Sequence, residues 1–294
     1  MHSDAWRLSE DLDDLLTRAE AFLRSRPVLH NTPLTVLEKW RTSPSAYTPG
    51  TVLFGRLESE GETHAIFFRP PSRRLTLTPL SPGQAEALAA ELAALGHTLA
   101  GVTADHDTAT AFAEAWHKHT GATPTLRVRM HLHRLGTLTP PEPHPEGHGR
   151  VVGDEDHEHL MQWCRELAAD LGETVTIDAA SWESTRFAEK RYTFWETPDG
   201  TPVSMAGVNP MVAGMVRVDP VYTPADLRGR GYAAAVTAEV TRAALTAGAK
   251  EIVLYTDAGN PTSNALYQRL GYRRVADWAP YDFAYSEPAA PVRT

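Results

Sequence analysis

The chain has 294 residues, room for about two domains of ordinary size, and its 42% hydrophobic and 22% charged residues exclude wholesale disorder. A formal charge of −9, from 28 Lys and Arg against 37 Asp and Glu, argues against binding nucleic acid or an anionic membrane by bulk electrostatics. The one cysteine, Cys164, rules out an internal disulfide and a cysteine-rich zinc site.

The start Met1-His2-Ser3-Asp4 lacks the segments of a secretory signal, and no apolar run reaches the ~18 residues that span a bilayer. A cytoplasmic protein is therefore expected. Leu12, Leu15, Leu16, Ala19 and Phe22 recur at helical spacing and predict a helix over 9–25, with Ser9 as its cap. Strands follow at 51–57, 63–69 and 74–80, then a helix over 81–95 with Pro82 in its first turn and Gly96 ending it. A strand at 98–102, a helix at 107–120 and a strand at 125–135 complete the first region.

Residues 137–149, TLTPPEPHPEGHG, hold four prolines, two glycines and almost nothing apolar, so they read as a linker. It separates a domain of residues 1–136 from one of residues 150–294. The second region predicts helices at 154–171 and 179–190, strands at 191–196, 202–207 and 211–222, and a helix at 231–247. A strand at 251–256, a helix at 261–270 and a strand at 272–278 follow. Both regions thus share one order: helices, three strands, helix, strand, helix, strand. No residue-level repeat accompanies it. Their charges differ: residues 1–135 carry 14 basic and 15 acidic side chains, the remainder 14 and 22.

The strongest local signal is Tyr222-Thr-Pro-Ala-Asp-Leu-Arg228-Gly229-Arg230-Gly231-Tyr232-Ala233. A strand ends, a polar turn follows, and a helix rich in small residues begins among glycines. Glycines at such a junction let the chain turn tightly, and with the helix's positive end the exposed N–H groups suit a phosphate. Arg228 and Arg230 add charge. No G-x-x-x-x-G-K-[ST] is present here, which excludes a nucleotide P-loop. Gly229-x-Gly231-x-x-Ala234 also fits a dinucleotide fingerprint, with Glu251 twenty residues after Gly231. Glu251 begins its strand rather than ending it, and three strands precede the motif. A nicotinamide-dependent oxidoreductase is thus the weaker fit.

The second constellation is Asn260-Pro-Thr-Ser263-Asn264-Ala-Leu-Tyr267-Gln-Arg-Leu-Gly271-Tyr272. Asn260 reads as a helix cap, Pro261 as the first helical residue and Gly271 as the close. Asn260, Ser263, Asn264 and Tyr267 share one face by spacing, whereas Leu266 and Leu270 form the apolar stripe.

Together these segments resemble the GNAT superfamily of acetyl-CoA-dependent N-acetyltransferases. Its phosphate loop, [Q/R]-x-x-G-x-[G/A], is matched from Arg228 to Ala233, and its N-x(6)-Y-x(3)-G-[FY] signature by Asn260, Tyr267, Gly271 and Tyr272. The resemblance covers about residues 150–285. It implies an α+β fold of two mixed-sheet, GNAT-like domains flanked by helices, the second with a splayed acyl-CoA cleft between strands 211–222 and 251–256. Main-chain groups at Val221, Tyr222 and Thr223 would pair with the pantetheine arm. The amides of Gly229, Arg230, Gly231, Tyr232 and Ala233, with Arg228, would hold the pyrophosphate, and Asn260 and Ser263 would face the cofactor. Tyr267 would protonate the departing thiolate, since a phenol of pKa ~10 is protonated at neutral pH. The implied reaction transfers acetyl from acetyl-CoA, as co-substrate, to a primary amine by direct attack and without a metal. Glu173, Glu196, Asp219 and Asp257 are all open as the general base. A non-catalytic acyl-CoA-binding or sensing protein is the rival of another class.

The first region lacks the glycine-rich loop, having Leu80-Ser81-Pro82-Gly83-Gln84 in its place, and reads as a degenerate copy. Such a copy would shape the acceptor pocket or mediate homodimerisation. His144, His148, His157 and His159 show no zinc spacing and read as solvated or helix-face residues. His117 and His119, His131 and His133, and Cys164 read as structural.

Overall fold

The computed structural model describes residues 5–43 and 47–285; Met1-His2-Ser3-Asp4 lies outside them. The first half contains β1 (Ala5–Ser9), α1 (Leu12–Ser25), α2 (Asn31–Thr42), β2 (Leu53–Ser59), β3 (Glu62–Arg69) and β4 (Leu75–Leu77). It continues with α3 (Pro82–Ala94), β5 (Gly101–Asp105), α4 (His106–Thr120), β6 (Thr123–Leu126) and β7 (Met130–Leu135). The second half contains β8 (His148–Val151), α5 (His157–Asp170), β9 (Arg191–Glu196), β10 (Pro202–Val208) and β11 (Met215–Tyr222). It ends with α6 (Tyr232–Thr246), β12 (Glu251–Asp257), α7 (Pro261–Arg269) and β13 (Tyr272–Ala284). No helix among the described residues is long and apolar enough to cross a membrane.

Two expectations need correction, and one helix was not expected. Ser9 does not cap α1; it ends β1, and Asp11 accepts from the amides of Asp13 (2.9 Å) and Asp14 (3.2 Å) instead. The helix expected at 179–190 is a series of turns with one short 3-10 turn at Trp182–Ser184. There Asp178 and Ser181 exchange side-chain-to-backbone bonds of 2.8 and 3.1 Å, and such bonds compete with helix formation. Helix α2 was not foreseen, because its buried face mixes Asn31, Pro33 and Thr35 with Leu34 and Leu37 and blurs the apolar period.

The strands form one sheet in the order β1-β2-β3-β4-β5-β13-β7-β12-β11-β10-β9-β8, with β6 also pairing β13. Only β4 with β5 and β11 with β12 are parallel; the other pairs are antiparallel. The order is reciprocal. Strand β5 of the first half is completed by β13 of the second, and β12 of the second by β7 of the first. β7 and β13 meet at the centre. The linker separates the halves along the chain, but the sheet does not break there.

Helices cover this sheet over four apolar cores. α3 and α4 bury Leu88, Leu92, Phe112 and Trp116 against the first half's strands. α6 and α7 bury Val236, Val240, Tyr267 and Leu270 against the second half's. α1 and α2 pack Leu15, Leu34 and Leu37 with Phe54 and Ile66, and also with Met215 and Val253 of the second half. α5 and the turns after it close the remaining face around Trp163, Phe187 and Phe194.

The linker is held along its length. Gly136 donates to the Gly271 carbonyl (2.9 Å) and Thr139 to that of Leu270 (3.0 Å). Gly271 lies at φ +96°, and a Cβ there would come within 1.8 Å of the Thr137 carbonyl, so only glycine fits. Further on, Trp195 donates to the Glu146 carbonyl (3.3 Å), and the last linker residues begin β8.

Reciprocal strand exchange leaves each half without a central sheet neighbour when alone. Residues 1–140 and 141–294 produced separately should show no cooperative thermal transition by circular dichroism, and co-expression should restore one. Two independently melting halves would refute this reading of the sheet.

Candidate active site

The parallel ladder of β11 and β12 joins Met215, Val216 and Arg217 to Glu251, Ile252 and Val253, and then stops. Beyond it β12 keeps its pairing with β7 as far as Asp257, while β11 bends away. The cause lies on the other edge of β11. Its register with β10 shifts between Ala206, paired with Val221, and Val208, paired with Val218, so β11 carries one extra residue. A bulge of this kind bends and twists its strand. Gly207 makes room for it: a Cβ there would lie 3.0 Å from the Asp219 carbonyl oxygen and 2.8 Å from the Tyr192 ring. The stretch from Val218 to Tyr222 therefore has no strand partner on its β12 side, and this stretch includes the predicted positions Val221 and Tyr222. Thr223 follows, its hydroxyl 2.8 Å from Ser204 Oγ.

After β11 the chain makes a short 3-10 turn at Ala225–Leu227 and reaches Gly229 and Gly231, at φ +79° and +85°. Both lie in the left-handed region that glycine alone enters cheaply. Gly231 is the N-cap of α6, and no side chain caps the helix. The first amides of Tyr232 and Ala233 thus keep their donors for a ligand, at the positive end of a 15-residue helix. The arginines also make contacts within the chain that spacing did not register. Arg228 reaches back to the Thr223 carbonyl (2.9 Å) and to Asp170 of α5 (2.6 Å), bracing the loop. Arg230 donates to the Asp226 carbonyl (3.1 Å).

The same junction in the first half is closed. There Ser81 accepts from the Gln84 amide (3.3 Å) while Gln84 accepts from the Ser81 amide (3.0 Å), so a capping box fills the start of α3. Counted from the N-caps Asp105 and Asn260, Phe112 of α4 stands where Tyr267 stands in α7. One half has an open helix end and a phenol; the other has a filled end and a phenyl ring.

In α7, Asn260 accepts from the Ser263 amide (3.0 Å), so both predicted residues build the cap. Tyr267 is 9% exposed and packs with α6, edge-on to Tyr272 at 6.1 Å. It was expected to turn away from the core leucines. Instead it is the buried side chain of α7, with Leu266 at the margin, because α6 covers that face. Burial first, and the charge of Asp219 second, push its phenol above the ordinary tyrosine value. It is a neutral hydroxyl at physiological pH.

Spacing alone did not reveal a hydrogen-bond chain that seats α7. His133 of β7 bonds Thr256 Oγ1 (3.0 Å) through Nε2, Thr256 donates to Asn264 Oδ1 (2.5 Å), and Asn264 donates to the Asp257 carbonyl (3.1 Å). The single Thr256 proton goes to Asn264, which assigns the histidine proton to Nε2. A strand of the first half thereby fixes the helix that carries Tyr267.

Of the four carboxylates open as base, Glu196 is bound by Arg150 (2.8 Å), Glu173 by Arg186 (2.8 Å), and Asp257 accepts from the Gly259 amide (2.7 Å). Asp219 lies on the bulge and is paired with Lys190 and, at 3.5 Å, with Arg186. Burial by itself would raise its pKa, but Lys190, Arg186 and Arg217 outweigh that and hold the carboxyl well below the usual range. Such a carboxylate is too weak a base to take a proton from an ammonium. Burial pushes the Lys190 ammonium down to about 8, against the pull of Asp219, and pushes the Cys164 thiol up to about 12. Glu251 is held by both arms of Arg134 (2.5 and 2.7 Å), an ion pair that competes with any ribose hydroxyl there. Among the described residues no group of three His, Cys, Asp or Glu side chains could hold a metal.

Residues 158–272 match the profile of the acetyltransferase (GNAT) family. A comparison with curated protein sequences returned no match. Among solved structures the chain is similar to a GCN5-related N-acetyltransferase from Kribbella flavida (22% identity, TM-score 0.52, over 76% of this chain and 87% of that one). It is similar as well to a GNAT-family acetyltransferase from Colwellia psychrerythraea (12% identity, TM-score 0.60, over 95% and 100%). A tandem GNAT protein from the clavulanic acid biosynthesis pathway aligns over 97% of this chain and 100% of its own, at 14% identity and TM-score 0.56. These likenesses extend one fold across both halves, and within it residues 158–272 carry the match to the acetyltransferase (GNAT) family.

Proposed function

We propose that the chain transfers an acetyl group from acetyl-CoA to a primary amine by direct attack, in its second half. The observation that carries this is the bulged strand β11, which leaves β12 after Arg217 and opens the sheet beside an uncapped helix end. The opening suits an extended arm that pairs with Val221, Tyr222 and Thr223. The amides from Gly229 to Ala233 suit a pyrophosphate, with Asn260 and Ser263 at the near end of α7. Arg228 and Arg230 hold the loop in shape and contribute their charge from the side. The donor supplies an activated acyl group; what the protein supplies is position, a hydrogen-bonded environment and a proton donor.

The amine arrives as its free base, because Asp219, the carboxylate on the bulge, is held well below the usual range by Lys190, Arg186 and Arg217 and does not deprotonate it. Its nitrogen forms the new bond to the acyl carbon and loses a proton to solvent, while the carbon–sulfur bond breaks. Tyr267 offers its O–H to the departing sulfur, whose charge is otherwise stranded in an apolar surrounding. A phenol pushed upward by burial is not lost to ionisation within the working range. The first half completes the site from outside, through His133 beneath α7 and Asn31 beside Tyr255 (2.9 Å).

Thiol release from acetyl-CoA with a panel of primary amines tests the reaction, and absence of any amine-dependent release would overturn it. Tyr267→Phe should lower kcat by about 10²-fold, a typical loss for a proton donor, with acetyl-CoA affinity by calorimetry unchanged; equal turnover would remove the tyrosine from its role. Gly231→Asp should weaken acetyl-CoA binding by at least about ten-fold, since it strains the left-handed turn and sets a carboxylate against phosphate. On the pH axis, kcat/KM should rise as the amine loses its proton. It should not fall again near pH ~10, where an unperturbed phenol ionises; a descending limb there would contradict the raised phenol.

A further inference from the structure

The mouth of the opening between β11 and β12 has a charge opposite to that of the chain. Arg186, Lys190 and Arg217 converge on it, with Asp219 and Glu173 as the carboxylates among them, which leaves one positive charge in surplus. Asp219 is occupied by Lys190 and Arg186, and Glu173 by Arg186. Arg217 is different. Among the described residues it makes no ion pair, and its Nη1 reaches only Asn31 Oδ1 (3.4 Å) and Thr32 Oγ1 (3.5 Å), at the limit of hydrogen bonding. Its Nε is buried without a partner. A guanidinium held this way has donors to spare, and an unmet buried donor costs free energy until something accepts from it.

Two hydroxyls stand beside Arg217, and Asn31 orients one of them. Asn31 is fully buried, fixed by its bonds to the Val28 carbonyl (2.7 Å) and to the Tyr255 hydroxyl (2.9 Å). Because Tyr255 accepts from Asn31, its own proton stays available, and Thr32 Oγ1 lies 3.4 Å from it. Three elements from both halves, α2, β11 and β12, thus bring a guanidinium and two hydroxyls to one place. Arg217 stands two residues before Asp219 on β11 and four before Val221, next to the stretch that has no strand partner on its β12 side.

We propose that this cluster is the anchor for a carboxylate on the acceptor, so that the substrate of this acetyltransferase is an amine that also bears a carboxylate, as an amino acid does. The assignment rests on the reading of the second half as an amine acetyltransferase. A planar, bidentate carboxylate matches the fork of Arg217, and its single charge matches the surplus. The same positive surroundings favour the uncharged form of the attacking amine. The acidic balance of the whole chain would have suggested a cationic acceptor; the charges at the opening select the opposite.

The test uses the intact chain with acetyl-CoA and matched pairs. The protein amino acids and a set of ω-amino acids are each compared with their primary amide and their decarboxylated amine. At least one carboxylate should exceed both counterparts in kcat/KM by about ten-fold or more, the ratio expected for one charged hydrogen-bonded contact. Arg217→Gln should abolish that preference through KM, and Arg217→Lys should keep part of it, with acetyl-CoA affinity by calorimetry unchanged in both as the check on folding. If uncharged amines are acetylated as well as the carboxylates, or if Arg217→Gln keeps the preference, the anchor is refuted while the acetyltransferase reading stands. If acetyl-CoA binds but no amine releases thiol, the reading of the function fails instead. The anchor is then judged by calorimetric binding of the same pairs, where equal affinity of carboxylate and amide refutes it.

Discussion

One extra residue in β11 governs the architecture of the second half. An undisturbed parallel ladder from Met215 to Tyr222 would close the sheet against β12 and bury every main-chain donor and acceptor in it. The bulge opposite Gly207 bends β11 instead, so its last residues keep polar edges with no strand to satisfy them. Unmet backbone groups inside a protein are costly unless something accepts them. The surroundings are arranged to leave room for that something: Tyr267 on one face, the Asp219 cluster on the other, and a helix without a cap at the end.

The two halves show which details separate a ligand-ready opening from a sealed one. Both have a parallel strand pair joined by a helix, with a second helix after the second strand of the pair. In the first half Ser81 and Gln84 satisfy the helix amides from within, and Phe112 has no hydroxyl where Tyr267 has one. The fold is common to both, and the chemistry resides in a few positions grafted on it. The first half still contributes. Its β7 supplies His133 beneath α7, and its α2 supplies Asn31 and Thr32 beside Arg217.

Much of this was legible in the residues. The glycine-rich turn and the Asn260-to-Tyr272 signature carry local requirements, left-handed backbone and a capped helix, that spacing exposes directly. The strands at Arg191–Glu196 and Glu251–Asp257 also stand where alternation and apolar runs put them. What stayed hidden was long-range. Nothing in the pattern of Met130–Leu135 says that this strand pairs with Val253–Asp257, more than a hundred residues away. The burial of Tyr267 depends on where α6 lies, not on the period of α7. The segment 179–190 was misread because Asp178 and Ser181 decide locally for turns, a choice that helical spacing does not register. The bond from Arg228 to Asp170 of α5 is likewise a long-range pairing that composition does not register.

The meeting of β7 and β13 at the centre of the sheet has a consequence for how the molecule responds to a ligand. Each half contributes the strand that the other needs, so local opening of one sheet removes hydrogen bonds from both. A ligand that stiffens β11 and β12 must therefore also slow the opening of β5 and β13, far from anything it touches. The half without an open helix end is not a passive attachment. It shares one continuous hydrogen-bonded sheet with the other half, so the packing of residues in each bears on the opening.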